Sequence, residues 1–121
     1  MKQPKRSEHD IQSECVRLFR YMYAPLQWRF FAIGNGGKRN IIVAAKMKKE
    51  GVLAGVWDCF LSVPRNGKSG LFIETKVKGN KLTDNQIKFR QENEADYAFE
   101  VVYSTEEFIT AVNNYLTIKE V

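Results

Sequence analysis

The chain has 121 residues and a formal net charge of +5, a length that favours a single domain over residues 1–121. No apolar run is long enough to span a membrane, and the polar N-terminus has no signal-peptide core, so we expect a cytoplasmic protein without a membrane partner. His9 is the only histidine, which argues against sites built from several histidines. Cys15 and Cys59 lie in apolar patterns, and we interpret them as buried free thiols.

Positive charge is unevenly distributed along the chain. Residues 1–50 contain eleven Lys or Arg and four Asp or Glu, whereas residues 91–121 contain one and seven. This asymmetry predicts a basic face for a polyanion, and nucleic acid is the commonest such partner. A solubilising surface without a partner is the alternative.

The first half of the chain alternates helix and strand. Ser7 opens a capping box before an apolar stripe at helical spacing that begins at Ile11. Residues 28–33 predict a strand that is apolar on both faces, and therefore either central in the sheet or part of an interface. Residues 41–50 favour a helix that stops at Gly51.

A glycine-rich segment, residues 35–39, separates that strand from that helix. It carries Asn35, Lys38 and Arg39. Backbone amides and basic side chains in such a segment can contact phosphate, and a plain flexible turn fits the same residues.

Two strands joined by a hairpin form the centre of the chain, at residues 57–63 and 71–77. Alternation along the second strand places Glu74 and Lys76 on one face. In the first strand it places Trp57 with Cys59 on one face and Asp58 on the other.

The hairpin turn decides whether the acidic residues of the two strands meet. A two-residue Asn66-Gly67 turn would place Asp58 opposite Thr75, on the wrong face. A three-residue loop, residues 65–67, pairs Pro64 with Lys68 and therefore Asp58 with Glu74. We favour the three-residue loop, and more generally we predict a loop that is odd in length or bulged, so that Asp58 and Glu74 project to one face.

Two carboxylates beside a lysine can hold a hard divalent cation next to a positive charge. Magnesium prefers oxygen ligands, and the lysine can orient or deprotonate an attacking water. A cross-strand ion pair on a solvated face is the alternative. Glu8 extends the apolar stripe of the first helix, which favours a third carboxylate near the metal, although the helix dipole alone also favours an acid there.

The second half of the chain follows the same alternation. Thr83 and Gln86 form a capping box for a helix that ends near Asn93, and capping alone is enough to explain Gln86. Residues 97–103 predict a strand, and Ser104 begins the last helix. The order α-β-α-β-β-α-β-α predicts an α/β fold, a mixed sheet with helices on both faces.

These residues resemble the PD-(D/E)xK nuclease superfamily and, within it, the VRR-NUC domain, over nearly the whole chain. The resemblance rests on Glu8 and Gln12, Asn35-Gly36 with Lys38-Arg39, Gly51-x-x-x-Gly55-x-x-Asp58, Glu74-x-Lys76 and Gln86. It implies a restriction-endonuclease-like mixed sheet. Trp57 stands where the family usually has proline, and a glycine is missing near Ala95.

The resemblance also implies roles for these residues. Glu8, Asp58, Glu74 and the Thr75 carbonyl would bind Mg²⁺ or Mn²⁺. Lys76 would act on the water, and Gln86 would reach the site. The basic segment with Asn35, Lys38 and Arg39 would contact DNA. No organic cofactor is implied.

The function implied is a structure-specific endonuclease of DNA repair or recombination. Small standalone members resemble homodimeric resolvases of four-way (Holliday) junctions, and without a further domain this chain fits that comparison. The alternatives are a non-catalytic nucleic-acid-binding module, which the intact acids and lysine argue against, and a flap or restriction-type nuclease.

Overall fold

The computed structural model describes residues 6–34 and 41–117. It consists of four helices, one short 3₁₀ helix and four strands, which are α1 (Glu8–Met22), the 3₁₀ helix (Ala24–Arg29), β1 (Phe30–Ala32), α2 (Ile41–Lys49), β2 (Cys59–Leu61), β3 (Leu71–Thr75), α3 (Asp84–Asn93), β4 (Ala98–Val102) and α4 (Thr105–Thr117).

The four strands form one mixed sheet in the order β1-β2-β3-β4. The first two pairs are antiparallel, and β3 and β4 are parallel. Apolar residues of α1 and α4, such as Phe19 and Val112, are buried with Ile73 on one face of the sheet. On the other face the ring of Phe89, from α3, lies 5.1 Å from the ring of Phe72. The predicted α/β architecture is thus confirmed.

Both predicted capping boxes are present. The Ser7 hydroxyl accepts the Asp10 N–H and the Asp10 carboxylate accepts the Ser7 N–H, which fixes the start of α1. Thr83 and Gln86 are bonded in the same reciprocal way at the start of α3. Each cap stabilises its helix by about 1 kcal/mol.

The first predicted strand is shorter than expected and lies at the edge of the sheet. Proline near the start of the 3₁₀ helix directs residues 24–29 into that helix, so the strand begins only at Phe30. Phe30 is buried, while Phe31 is 47% exposed and Trp28 is 92% exposed. A central position in the sheet is therefore wrong, and the second apolar face is open to solvent.

The hairpin differs from prediction at its tip but not at its base. Arg65 and Lys68 exchange two backbone hydrogen bonds of 3.0 and 2.9 Å around a two-residue turn, with positive φ at Asn66 and Gly67. The three-residue loop is therefore wrong. Nearer the sheet, Cys59 pairs with Ile73 and Leu61 with Leu71.

A bulge reconciles the two ends of the hairpin. Residues 62–64 lie opposite residues 69–70, so the first strand carries one extra residue. That residue shifts the register by one between tip and sheet. The bulged alternative of the prediction is thereby confirmed, and with it the pairing of Asp58 with Glu74.

Both cysteines are buried and free, as predicted. Burial raises the pKa of the Cys15 thiol to about 11 and that of Cys59 to about 12. The reactive thiolate is therefore scarce at neutral pH, and these side chains contribute to the core. Among residues 6–34 and 41–117, no helix has the length and apolar character needed to cross a bilayer.

Candidate active site

Charged side chains at the end of β3 and directly after it are buried in the interior. Glu74 is 2% exposed, Lys76 is 7% exposed, and Thr75 between them is also buried. Strand β3 lies between β2 and β4, so both of its edges are hydrogen-bonded within the sheet. Burying such charges costs several kcal/mol unless they are paired. The solvated ion pair that the sequence also allowed does not describe this environment.

The β2–β3 register brings Asp58 and Glu74 together. The Asp58 N–H donates to Glu74 Oε1 over 3.1 Å, and the Thr75 N–H donates to Asp58 Oδ2 over 3.1 Å. Each carboxylate is thus fixed by the backbone of the other segment. This reciprocal bonding preorganises two oxygen donors at one point of the sheet.

Lys76 and Gln86 complete the surroundings of Glu74. The Lys76 Nζ lies 3.6 Å from Glu74 Oε2, which confirms that the two side chains share a face. Gln86 Nε2 donates to the same oxygen over 3.0 Å, while Gln86 Oε1 accepts the Thr83 N–H at 2.9 Å. Gln86 therefore both caps α3 and reaches the site, two interpretations that the sequence left side by side.

Trp57 joins the segment before Asp58 to α3. Its Nε1 donates to the Gln86 backbone carbonyl over 3.0 Å, and its ring lies edge-on against Phe99 at 4.9 Å. The predicted placement of Trp57 on the same face as Cys59 is wrong, because β2 begins only at Cys59 and residue 57 is free of strand alternation.

Gly55 lets this segment approach α3 closely. Its φ is +101°, and a Cβ at this position would lie 2.5 Å from the Asn85 carbonyl oxygen. Only glycine fits both the left-handed conformation and the contact. The glycine spacing in the sequence was therefore a signal for the approach of two site-bearing segments.

Glu8 lies at the rim of the site. It is half-buried at the start of α1, and its Oε2 accepts a weak hydrogen bond from Asn80 Nδ2 at 3.5 Å. Its charge is close enough to raise the pKa of Asp58. Within the described ranges, however, no three acidic, histidine or cysteine side chains are arranged to hold a metal. Asn80 was not predicted, because nothing in the sequence pairs it with Glu8.

The electrostatics of the carboxylate pair are unfavourable without a cation. Burial, followed by the Asp58 charge, raises the pKa of Glu74 to about 7. Burial is also the main cause that raises the pKa of Asp58, although the bond from the Thr75 N–H opposes it. Two oxygen donors with suppressed ionisation fit a hard divalent ion that takes one or two carboxylates and completes its shell with water and phosphate. They do not form a closed cage.

The remaining predicted site residues, Asn35, Lys38 and Arg39, lie outside the described residues. Gln12, which the resemblance also included, is half-buried on α1, one turn beyond Glu8. The structure therefore brings together Asp58, Glu74, Lys76 and Gln86, with Glu8 beside them.

The four-stranded mixed sheet with flanking helices is an α/β fold, and it carries two carboxylates at its antiparallel pair. A solved structure described as a VRR_NUC domain protein shares this fold, with a TM-score of 0.81 and 21% sequence identity, over 97% of this chain and 93% of that one. The fold expected from the VRR-NUC resemblance is therefore confirmed. No protein-family model matches the chain, and no curated protein matches its sequence.

Proposed function

We propose that this protein is a divalent-metal-dependent endonuclease that hydrolyses phosphodiester bonds in DNA. The observation that carries the proposal is the reciprocal bonding of Asp58 and Glu74 beside the buried Lys76. A fold needs no buried pair of acids with raised pKa, and such groups concentrate at functional sites. The shared fold with a VRR_NUC domain protein supports the same conclusion.

Each residue of the candidate site has a proposed role that follows from its chemistry. Asp58 and Glu74, with the Thr75 carbonyl, would hold Mg²⁺ or Mn²⁺, and Glu8 would contribute from the rim. When bound, such an ion supplies Lewis-acid polarisation of the scissile phosphate and a more acidic water. Lys76 would orient that water or remove its proton. Gln86 would keep Glu74 Oε2 in place through its amide N–H.

We further propose a branched DNA substrate, a four-way junction, cut by a homodimer. A junction presents two strands for cleavage, and two copies related by a twofold axis place one active site at each. The exposed Phe31 in the edge strand β1 and the exposed Trp28 just before it supply an apolar surface for the second copy. Sedimentation that shows only a 14 kDa species at micromolar concentration, with and without junction DNA, would contradict the dimer.

The activity is tested with labelled four-way junction, flap, single-stranded and linear duplex DNA of matched sequence, each with Mg²⁺, Mn²⁺ or EDTA. The expected result is metal-dependent cleavage that is fastest on the four-way junction. Equal cutting of linear duplex would favour a restriction-type enzyme. Tight DNA binding with no cleavage in either metal would instead support a non-catalytic binding module.

A further inference from the structure

A small cavity beside the candidate site has no role in the chemistry above. It has a volume of about 240 Å³ and lies between the start of α1 and the ends of β3 and β4. Its lining combines apolar side chains with two cations and an aromatic ring. The lining residues are Arg6, Ile11, Val77, Lys78, Tyr103 and Ser104.

Hydrogen bonds connect this cavity to the candidate site. The Tyr103 hydroxyl donates to the Asn80 carbonyl over 3.2 Å, and the Asn80 side chain donates to Glu8. Lys78 follows Lys76 by two residues, and the Lys76 N–H is bonded to the Val102 carbonyl beside Tyr103 over 3.0 Å. Tyr103 in the cavity lining is therefore linked to Glu8 through Asn80, and Lys78 in the same lining follows Lys76 by two residues.

The two cations are not equivalent. Arg6 is paired with Glu14 and also donates to the Asp10 carbonyl, so its charge is partly satisfied. Lys78 is exposed and has no hydrogen bond or ion pair among residues 6–34 and 41–117. Lys78 is consequently the better donor for an incoming anion, with Arg6 adding positive potential at the same rim.

We propose that this cavity is a subsite for one unpaired nucleotide that flanks the scissile phosphate. Val77 and the Tyr103 ring form a surface on which a base stacks, and Lys78 contacts the adjoining phosphate. The volume of about 240 Å³ is smaller than that of drug-sized pockets and suits one base. This inference rests on the proposed nuclease function and narrows its substrate to DNA with an unpaired nucleotide beside the cut.

The test measures binding without catalysis. A single-stranded octanucleotide with one 2-aminopurine is titrated in EDTA with the wild type and with Tyr103→Phe, Tyr103→Ala and Lys78→Ala. Stacking on Tyr103 predicts quenched fluorescence for the wild type and for Tyr103→Phe, which keeps the ring. Tyr103→Ala should lose the quenching and bind roughly 5- to 100-fold more weakly, the range expected for one stacked base. Lys78→Ala should weaken binding. It should also reduce the slope of log affinity against log salt concentration by about one unit.

Lys88→Ala is the matched charge control. Lys88 is exposed on α3 and, within the described part of the chain, is paired only with Glu92, so this variant should bind the probe as the wild type does. Equal quenching and affinity in Tyr103→Ala and the wild type would overturn the subsite, as would a wild type that does not bind the probe. If Tyr103→Ala does not fold, Lys78→Ala with unchanged affinity and salt dependence overturns it.

The two proposals fail separately in this design. A wild type that binds and quenches the probe but cuts no DNA with metal contradicts the nuclease and leaves the subsite. A wild type that cuts junction DNA, with the same cleavage rate and the same affinity in Tyr103→Ala, contradicts the subsite and leaves the nuclease.

Discussion

Glu74 accepts hydrogen bonds from two directions and also lies beside a lysine. Its Oε1 takes the Asp58 N–H, and its Oε2 takes the Gln86 amide and faces Lys76. Even with these partners, burial and the Asp58 charge keep its pKa near 7. The side chain is thus held in a fixed position while its ionised form remains unfavourable, a combination that a bound cation would reverse.

The first prediction concerns stability as a function of pH. The pKa of Glu74 is about 7 in the folded protein and 4.5 ordinarily, so between these values the folded state holds more protons than the unfolded state. Stability without metal should therefore fall as pH rises from about 4.5 to about 7. Thermal unfolding in EDTA checks this by comparing the wild type with Glu74→Gln, in which this part of the pH dependence should disappear.

Added Mg²⁺ provides the control for that comparison. An ion that binds the ionised carboxylates should raise the melting temperature of the wild type most at high pH. It should leave Glu74→Gln much less affected. Identical pH profiles for both proteins would show that Glu74 does not titrate in this range.

The second prediction separates the two roles of Gln86. Thr83→Ala removes the hydroxyl that accepts the Gln86 N–H and should reduce the unfolding free energy by about 1 kcal/mol, with little change in cleavage. Gln86→Glu keeps an acceptor for the Thr83 N–H but removes the donor to Glu74. Its cleavage rate should fall at least tenfold, and its pH–rate profile should move to higher pH, because a like charge disfavours ionised Glu74. If Gln86→Glu had the wild-type cleavage rate and pH–rate profile, Gln86 would serve only as part of the cap of α3.

Some of these residues could be predicted from the sequence and others could not, for physical reasons. Alternation along one strand was enough to place Glu74 beside Lys76, because the strand period is fixed. Asn80 and Trp57 were not assigned their roles, since their contacts join segments that are distant in sequence and depend on loop geometry. The local sequence pattern does not predict such contacts.

Among the elements, the hairpin shows most clearly what the local sequence pattern does and does not predict. Asn66-Gly67 is a strong signal for a two-residue turn, and that turn forms. The register nevertheless follows the odd-loop prediction because the bulge at residues 62–64 adds one residue. The expected register therefore forms through a bulge, which the prediction allowed, and not through a three-residue loop.

The third prediction tests this hairpin through Gly70. A Cβ at Gly70 would lie 2.9 Å from the Leu61 carbonyl oxygen and closer still to the Phe60 ring. Gly70→Ala should therefore reduce the unfolding free energy by about 1–3 kcal/mol through overpacking, as measured by urea denaturation. Gly34→Ala is the control, because a Cβ there meets nothing within 4 Å. Equal stability of the two variants would contradict the packing at the bulge.

The strand at residues 28–33 illustrates a different limit. Its apolar residues predicted burial on both faces, but one face is exposed beside an edge strand. An apolar sequence pattern predicts that a surface is buried. It does not predict which element or partner covers that surface. The proposed second copy of the chain is one such cover.

For the whole molecule, the net charge of +5 with acids concentrated after residue 91 favours one basic DNA-binding side. The fourth prediction is that DNA affinity falls steeply with salt. Lys38→Ala and Arg39→Ala should each reduce the log–log salt slope by about one unit without changing metal affinity. Titrations from low to moderate salt measure the slope, and an unchanged slope would make residues 35–39 a turn only.

The central claim is that Asp58, Glu74 and Lys76 form a nuclease active site. Single-turnover cleavage of a labelled four-way junction in Mg²⁺ tests it most directly, with folded Lys76→Ala, Glu74→Gln and the control Lys88→Ala. Loss of the lysine or of the proposed metal-binding carboxylate should slow cleavage by about a hundredfold or more, while Lys88→Ala cuts at the wild-type rate. Added Mn²⁺ should partly restore Glu74→Gln and not Lys76→Ala, which keeps both proposed metal-binding carboxylates. Wild-type rates in Lys76→Ala and Glu74→Gln would contradict the account and place the chemistry elsewhere.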